Sequence, residues 1–183
     1  RDQLTQSQSM HKSLLGLFIG IAIEEQRIAS IDDPVGRYLT EWRDDPRGAI
    51  TLRQLLQMIS GLAQYRFTLN PFTDDNRWLN SGHSGEVLLR TPLAGWAPGS
   101  RYDYNNTNSE LLGMVLERAY GQRYSELLRD KLWLPMGGER ARVHTDRPGG
   151  GAYTSCCLAA LAMDWVRFGM LLLGRGEVNG QRM

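Results

Sequence analysis

Ser9 and Lys12 stand three residues apart, in the order S-x-x-K, at the head of an apolar run from Leu14 to Ile23. On a helix, positions i and i+3 share a face, so the lysine amine can reach the serine hydroxyl. A serine alcohol is a weak nucleophile until a base takes its proton. A lysine can be that base only when neutral, which means bringing a pKa of about 10.4 toward about 7. Apolar burial and a nearby helix N-terminus both act in that direction, and the apolar run behind Lys12 offers such surroundings. The chain has only two lysines, Lys12 and Lys131; its other basic residues are arginines. A helix cap followed by an exposed lysine gives the same spacing, so S-x-x-K alone assigns no nucleophile.

Tyr104 and Asn106 form Y-x-N just before a second helical pattern. A tyrosine beside a cation can carry a proton between a nucleophile, its base and a leaving group. An asparagine amide can hold a lysine or a substrate carbonyl. A packed loop tyrosine and an ordinary N-cap are the plainer readings of these two. Ser9, Lys12 and Tyr104 are therefore the candidate catalytic residues, and Asn106 the candidate substrate-binding residue. His11 neighbours Lys12 but points elsewhere on a helix and reads as structural. Three scattered histidines without H-E-x-x-H give no metal site. There is no G-x-S-x-G, and Gly149-Gly150-Gly151 lacks the spacing of a phosphate loop.

Positioning these residues requires several elements. A buried helix is expected from about Ser9 to Gln26, with Gly16 and Gly20 allowing close packing. Asp33 can cap a short helix with Pro34 at its first position. Thr51 starts a helix with Leu52, Leu55, Leu56 and Ile59 at helical spacing, ended by Gly61. Residues 62–82 read as a long loop, in which Tyr65 either lines a cleft or packs. Ser84–Arg90 reads as a short helix. Asn106 or Thr107 caps a helix reaching Tyr120 and stopped by Gly121, and Ser125 caps the next. Strand pieces are expected around 141–144 and 152–154. A strong helix is expected from about Cys157 to Leu173, with Asp164 inside it making structural contacts.

Longer stretches carry a family resemblance. SMHKSLLGLFIGIAIEEQRIASIDDPVGRYL resembles the nucleophile helix of the β-lactamase and penicillin-binding-protein superfamily. TLRQLLQMISGL, PGSRYDYNNTNSELLGMVLERAYGQ and GAYTSCCLAALAMDWVRFGMLLLGRGEVNGQRM resemble its following blocks, in family order. Y-x-N in place of S-D-N points to the branch with class C β-lactamases, D-alanyl-D-alanine peptidases, esterases and 6-aminohexanoate-dimer hydrolases. The Cys-Cys-Leu and Asp-Trp-Val-Arg-Phe-Gly wording is most similar to the last group. The resemblance implies an α+β, β-lactamase/transpeptidase-like fold, mostly α-helical here. Residues 1–183 would form a single partial domain, with the N-terminal strands, most of the antiparallel sheet and a third motif (K-T-G or H-x-G) lying outside it. His83-Ser84-Gly85 has the H-x-G form but precedes Tyr104, the wrong order. The resemblance further implies an acyl-enzyme on Ser9, Lys12 as base, Tyr104 assisting, Asn106 positioning groups, and the Ser9 N–H as half of an oxyanion hole. No cofactor or metal is implied; the partner is a small amide or ester substrate. A non-catalytic binding module on the same fold is the alternative of another class.

Bulk properties exclude other classes. With 42% hydrophobic and 22% charged residues, the chain is not of disordered composition. A formal net charge of +1 gives no bulk attraction to nucleic acid or anionic membranes. The longest apolar run is shorter than the roughly 20 residues a bilayer requires. The two cysteines, Cys156 and Cys157, are adjacent; neighbouring Cα atoms sit about 3.8 Å apart, below the usual disulfide range of about 4.4–6.8 Å. No bond between them is expected. Compartment and oligomeric state stay open.

Overall fold

The structure, a computed structural model, describes residues 3–65, 70, 72–178 and 180–182. Strand β1 (Leu4–Gln6) and a single 3₁₀ turn (Gln8–Met10) lead into helix α1 (His11–Glu24). Helices α2 (Leu52–Leu56), α3 (Asp74–Asn80), α4 (Ser84–Leu89), α5 (Asn106–Tyr120) and α6 (Tyr124–Leu127) follow, and α6 runs on into a wider π-helical turn, Leu128–Trp133. Strands β2 (Ala141–Val143) and β3 (Leu158–Leu161), helix α7 (Ala162–Leu173) and the hairpin β4 (Glu177–Val178)–β5 (Gln181–Arg182) complete the described chain. The sheet order is β1-β3-β2, antiparallel throughout, with Leu4 opposite Leu161 and Arg142 opposite Ala159. This is a helix-rich α+β arrangement with a small antiparallel sheet.

The core forms where α1 packs on α5 and α5 on α2. Leu14, Leu15, Phe18, Ile19 and Ala22 of α1 meet Leu111, Leu112, Val115 and Leu116 of α5, all buried. Burying each large side chain contributes about 1.5–3 kcal/mol, so these two helices are firmly fixed relative to each other. Thr51 and Gln54 make a reciprocal capping box at the start of α2. Among the described residues, no helix is long and apolar enough to cross a membrane.

Several sequence expectations are corrected. Cys156 and Cys157 are disulfide-bonded, with Cα atoms 3.7 Å apart; Cys157 takes a left-handed backbone, φ 69°, which turns adjacent side chains toward each other. Gly16 and Gly20 are not packing contacts: both are exposed, and nothing lies within 4 Å of a Cβ added at either. Helix α1 is therefore buried on one side, not all round. Asp33 caps no helix starting at Pro34; its carboxylate accepts from the Ala29 N–H at 3.1 Å and the Tyr38 hydroxyl at 2.6 Å, closing a turn. Helix α2 stops at Leu56, and Met58 takes the left-handed conformation at φ 58°, ahead of Gly61. The loop expected at 62–82 contains α3. The helix expected from Cys157 begins only at Ala162, because Leu158–Leu161 is the central strand of the sheet. Residues 152–154 make a single bridge, Ala152 to Thr145, and no strand. The helix expected after Ser125 already begins at Tyr124.

Candidate active site

Ser9 sits in the 3₁₀ turn before α1, exposed to solvent. Gln8 enters this turn with φ 47°, a left-handed conformation that costs an L-residue about 1 kcal/mol. The turn is tied down from behind: the Ser7 N–H donates to the Leu158 carbonyl at 2.7 Å, and the Leu158 N–H donates to Ser7 Oγ at 3.2 Å. The end of β1 thus fixes the start of α1 through β3.

One turn on, Lys12 Nζ donates to Ser9 Oγ at 3.1 Å and to the Ser155 carbonyl at 2.5 Å. It also lies 5.1 Å from the centre of the Tyr104 ring. Tyr104 is half exposed, in the loop before α5, held by the Asp103 N–H donating to the Met58 carbonyl at 2.8 Å. Burial raises the pKa of the Tyr104 phenol, but hydrogen bonding to Ser9 and Lys12 and the lysine's charge outweigh it, so the net direction is down. Ser9, Lys12 and Tyr104 therefore converge.

Asn106 does not join them. It opens α5, half-buried, and makes no hydrogen bond to the other three among the described residues. Nor is it the cap. Asn105 is: its Oδ1 accepts from the Thr107 N–H at 2.9 Å, and its Nδ2 donates to the Leu62 carbonyl at 2.8 Å. The sequence runs Tyr-Asn-Asn, and spacing alone could not say which asparagine turns inward.

Residues that the sequence did not single out hold the site in place. Glu110, buried in α5, accepts the Ser155 N–H on Oε1 and the Thr154 N–H on Oε2, each at 2.9 Å. Burial pushes its carboxyl up, against the pull of hydrogen bonds from Ser155 and Thr154. Ser60 donates to Asn108 Oδ1 at 2.5 Å and ties α5 to the segment after α2. The only sequence signal for Glu110 was a carboxylate among Leu111, Leu112 and Val115.

The histidines stay outside the chemistry. His11 is buried; its Nδ1 lies 2.7 Å from the Cys156 carbonyl and its Nε2 2.9 Å from the Tyr124 hydroxyl. A carbonyl only accepts, so Nδ1 carries the proton and Nε2 accepts from Tyr124. Burial chiefly, with Lys12's charge adding, lowers the His11 pKa to about 4. His144 lies after β2, and His83 precedes α4 at the surface. Tyr65 packs instead of lining the cleft: its hydroxyl donates to the Val87 carbonyl at 2.7 Å and its ring stacks on Trp78. Asp164 makes the structural contacts expected of it, accepting from the Glu139 and Arg140 N–H groups and from Arg167.

Beside Ser9 opens a hollow of about 260 Å³, lined by Lys12, Leu56, Met58, Tyr104, Ser109 and Leu112 among others. It combines an apolar floor with a hydroxyl, an amine and a phenol at one edge. That combination suits acyl transfer to an oxygen nucleophile.

The sequence profile of the family described as Beta-lactamase matches residues 1–182. The chain is 29% identical over 147 residues to Penicillin-binding protein 4* of Bacillus subtilis (strain 168), covering 80% of this chain and 32% of that protein. It is 26% identical over 185 residues to 6-aminohexanoate-dimer hydrolase of Paenarthrobacter ureafaciens, covering 96% and 47%. A solved Bacillus anthracis structure, provisionally assigned as a 6-aminohexanoate-dimer hydrolase, superposes with a TM-score of 0.84 at 26% identity, over 98% of this chain and 50% of that one. D-alanine carboxypeptidase AmpC from Burkholderia cenocepacia shares the fold, with a TM-score of 0.71 at 22% identity over 94% and 50%. The chain spans about a third to a half of the length of these two curated relatives.

Proposed function

Since the chain belongs to the Beta-lactamase family, we propose that it carries the nucleophile and proton carriers of a serine hydrolase that cleaves small amide or ester substrates through an acyl-enzyme. The observation that carries this reading is the 3.1 Å contact of Lys12 Nζ with Ser9 Oγ, with the Tyr104 phenol beside both. Ser9 Oγ bonds to the substrate carbonyl carbon as its proton passes to the Lys12–Tyr104 pair. The bond from that carbon to the leaving amine or alcohol then breaks, and the leaving group takes a proton from the Lys12–Tyr104 pair. Water, losing its proton to the same pair, attacks the Ser9 ester; the acid leaves and the Ser9 hydroxyl is restored. Asn106, which opens α5 beside Tyr104, is assigned to substrate contact. Residues 1–183 are read as one partial domain of the fold.

Within this chemistry, a linear amide such as a 6-aminohexanoate oligomer is the favoured substrate class. Its support is the 6-aminohexanoate-dimer hydrolase relative, which matches along 96% of the chain. A β-lactam or D-alanyl-D-alanine substrate is the second reading, favoured by the likeness to Penicillin-binding protein 4*. Full-length protein is to be treated with a fluorophosphonate, then assayed on p-nitrophenyl esters, a chromogenic cephalosporin and 6-aminohexanoate dimer. We expect label on Ser9, none in Ser9→Ala, and turnover of the dimer and esters above the cephalosporin. Folded protein that takes no label at Ser9 overturns the hydrolase reading in favour of a binding module.

A further inference from the structure

Lys12 is not held by its own helix alone. Its second partner, the Ser155 carbonyl, belongs to the segment just before β3, more than a hundred residues away in sequence. That segment is itself gripped from the far side. The Glu110 carboxylate takes two consecutive N–H groups, of Thr154 and Ser155, both at 2.9 Å. The Thr154 hydroxyl donates to the Ser109 carbonyl at 2.8 Å, one residue earlier on α5. With the two N–H groups of 154 and 155 turned toward α5, the Ser155 carbonyl is left to face α1, where Lys12 meets it. Glu110 is only 3% exposed and does not line the hollow beside Ser9.

We infer that Glu110 is a positioning residue: it fixes the Ser155 carbonyl so that Lys12 is delivered to Ser9. This rests on the reading of Ser9 and Lys12 as nucleophile and base. Each carboxyl oxygen of Glu110 accepts one of the two inward N–H groups. In Glu110→Gln one oxygen becomes an NH₂ group, which faces an N–H donor with another donor. The Thr154–Ser155 peptide must then shift, which moves the Ser155 Cα and, through it, the following carbonyl that Lys12 meets. A misplacement of about 1 Å in such a constellation costs on the order of a hundredfold in rate.

The test uses full-length protein and an ester that parent turns over. Parent, Glu110→Gln and Glu110→Asp are compared for fluorophosphonate labelling rate, for kcat and KM, and for the pH midpoint of the acidic limb of kcat. We expect Glu110→Gln to lose roughly tenfold to a hundredfold in labelling rate and kcat, with KM within twofold and the acidic midpoint displaced. Glu110→Asp, which keeps two acceptor oxygens, recovers part of the loss; if the glutamine variant does not fold, the aspartate variant is measured for the same displacement. A residue that serves stability alone lowers the fraction of active enzyme without moving the midpoint, and that result overturns the inference. So does a glutamine variant that labels like parent. Parent that takes no label at Ser9 overturns the hydrolase reading itself, whereas parent and Glu110→Gln labelling alike overturns only the role of Glu110.

Discussion

His11 sits next to the candidate base and is uncharged at neutral pH, since burial, with Lys12's charge adding, outweighs its hydrogen bond to the Cys156 carbonyl and lowers its pKa to about 4. This has a consequence for stability. The unfolded chain binds a proton at His11 below about pH 6.5, the native state only below about 4, so native stability is full above 6.5 and is lost as pH falls toward 4. The gap of 6.5 − 4 amounts to about 3 kcal/mol as an order of magnitude. Urea unfolding of parent and His11→Gln between pH 7 and 4 checks it: the parent curve falls more steeply, and equal slopes sink the prediction. Tyr104 gives the opposite case, an exposed group whose phenol is pulled down by Ser9 and Lys12. Tyr104→Phe removes the proton carrier and keeps the ring over Lys12, so the labelling rate of Ser9 is expected to drop by about a hundredfold or more. An unchanged rate would exclude the phenol from the chemistry.

Helix α5 organises the site at the next scale. Its first turn follows Tyr104, its second offers Glu110, and its Gly113 lets Thr154 lie against the backbone. A Cβ at Gly113 would stand 2.6 Å from both Cγ2 and Oγ1 of Thr154. Because Thr154 is β-branched, it has no free rotation away. Gly113→Ala is expected to cost roughly 1–3 kcal/mol, read as a lower urea midpoint, and to slow Ser9 labelling in the molecules that remain folded. A variant as stable as parent would show that the contact yields freely. Helix α5 was legible because Leu111, Leu112, Val115 and Leu116 repeat at helical spacing and Gly121 stops it at φ 67°. Helix α3 was not: only Asn76 and Trp78 of its residues are buried, so no stripe shows. Strand β3 was hidden for the opposite reason. Leu158–Leu161 is buried throughout and runs into the apolar α7 without Gly or Pro between them, so one periodic reading covers both. Ser9, Lys12 and Tyr104 could be picked from spacing and order. Glu110, Ser155 and Asn105 could not, because what they do depends on contacts across the fold.

Seen whole, the molecule brings the start of the described chain against a strand far along the sequence: β1 and β3 pair, and the Ser7–Leu158 exchange of hydrogen bonds sits directly behind Ser9. The amides of Ser7, Thr154, Ser155 and Leu158 should therefore open together and exchange with deuterium far more slowly than the loop at 101–104. Rapid exchange at 154–158 while α5 stays protected would show that the segment moves independently of the helix that grips it. The Cys156–Cys157 bond lies inside this same segment, one residue beyond the carbonyl that Lys12 meets. These are the only cysteines in the chain, and both are consumed by the bond. Iodoacetamide and maleimides thus have no thiolate to find on the oxidised chain, and an electrophile captured near Ser9 reports on the Ser9 hydroxyl or the Lys12 amine without sulfur background from these residues. A reducing agent in the buffer would change that by releasing two competing thiols beside the site, so activity-based profiling is best run with none present.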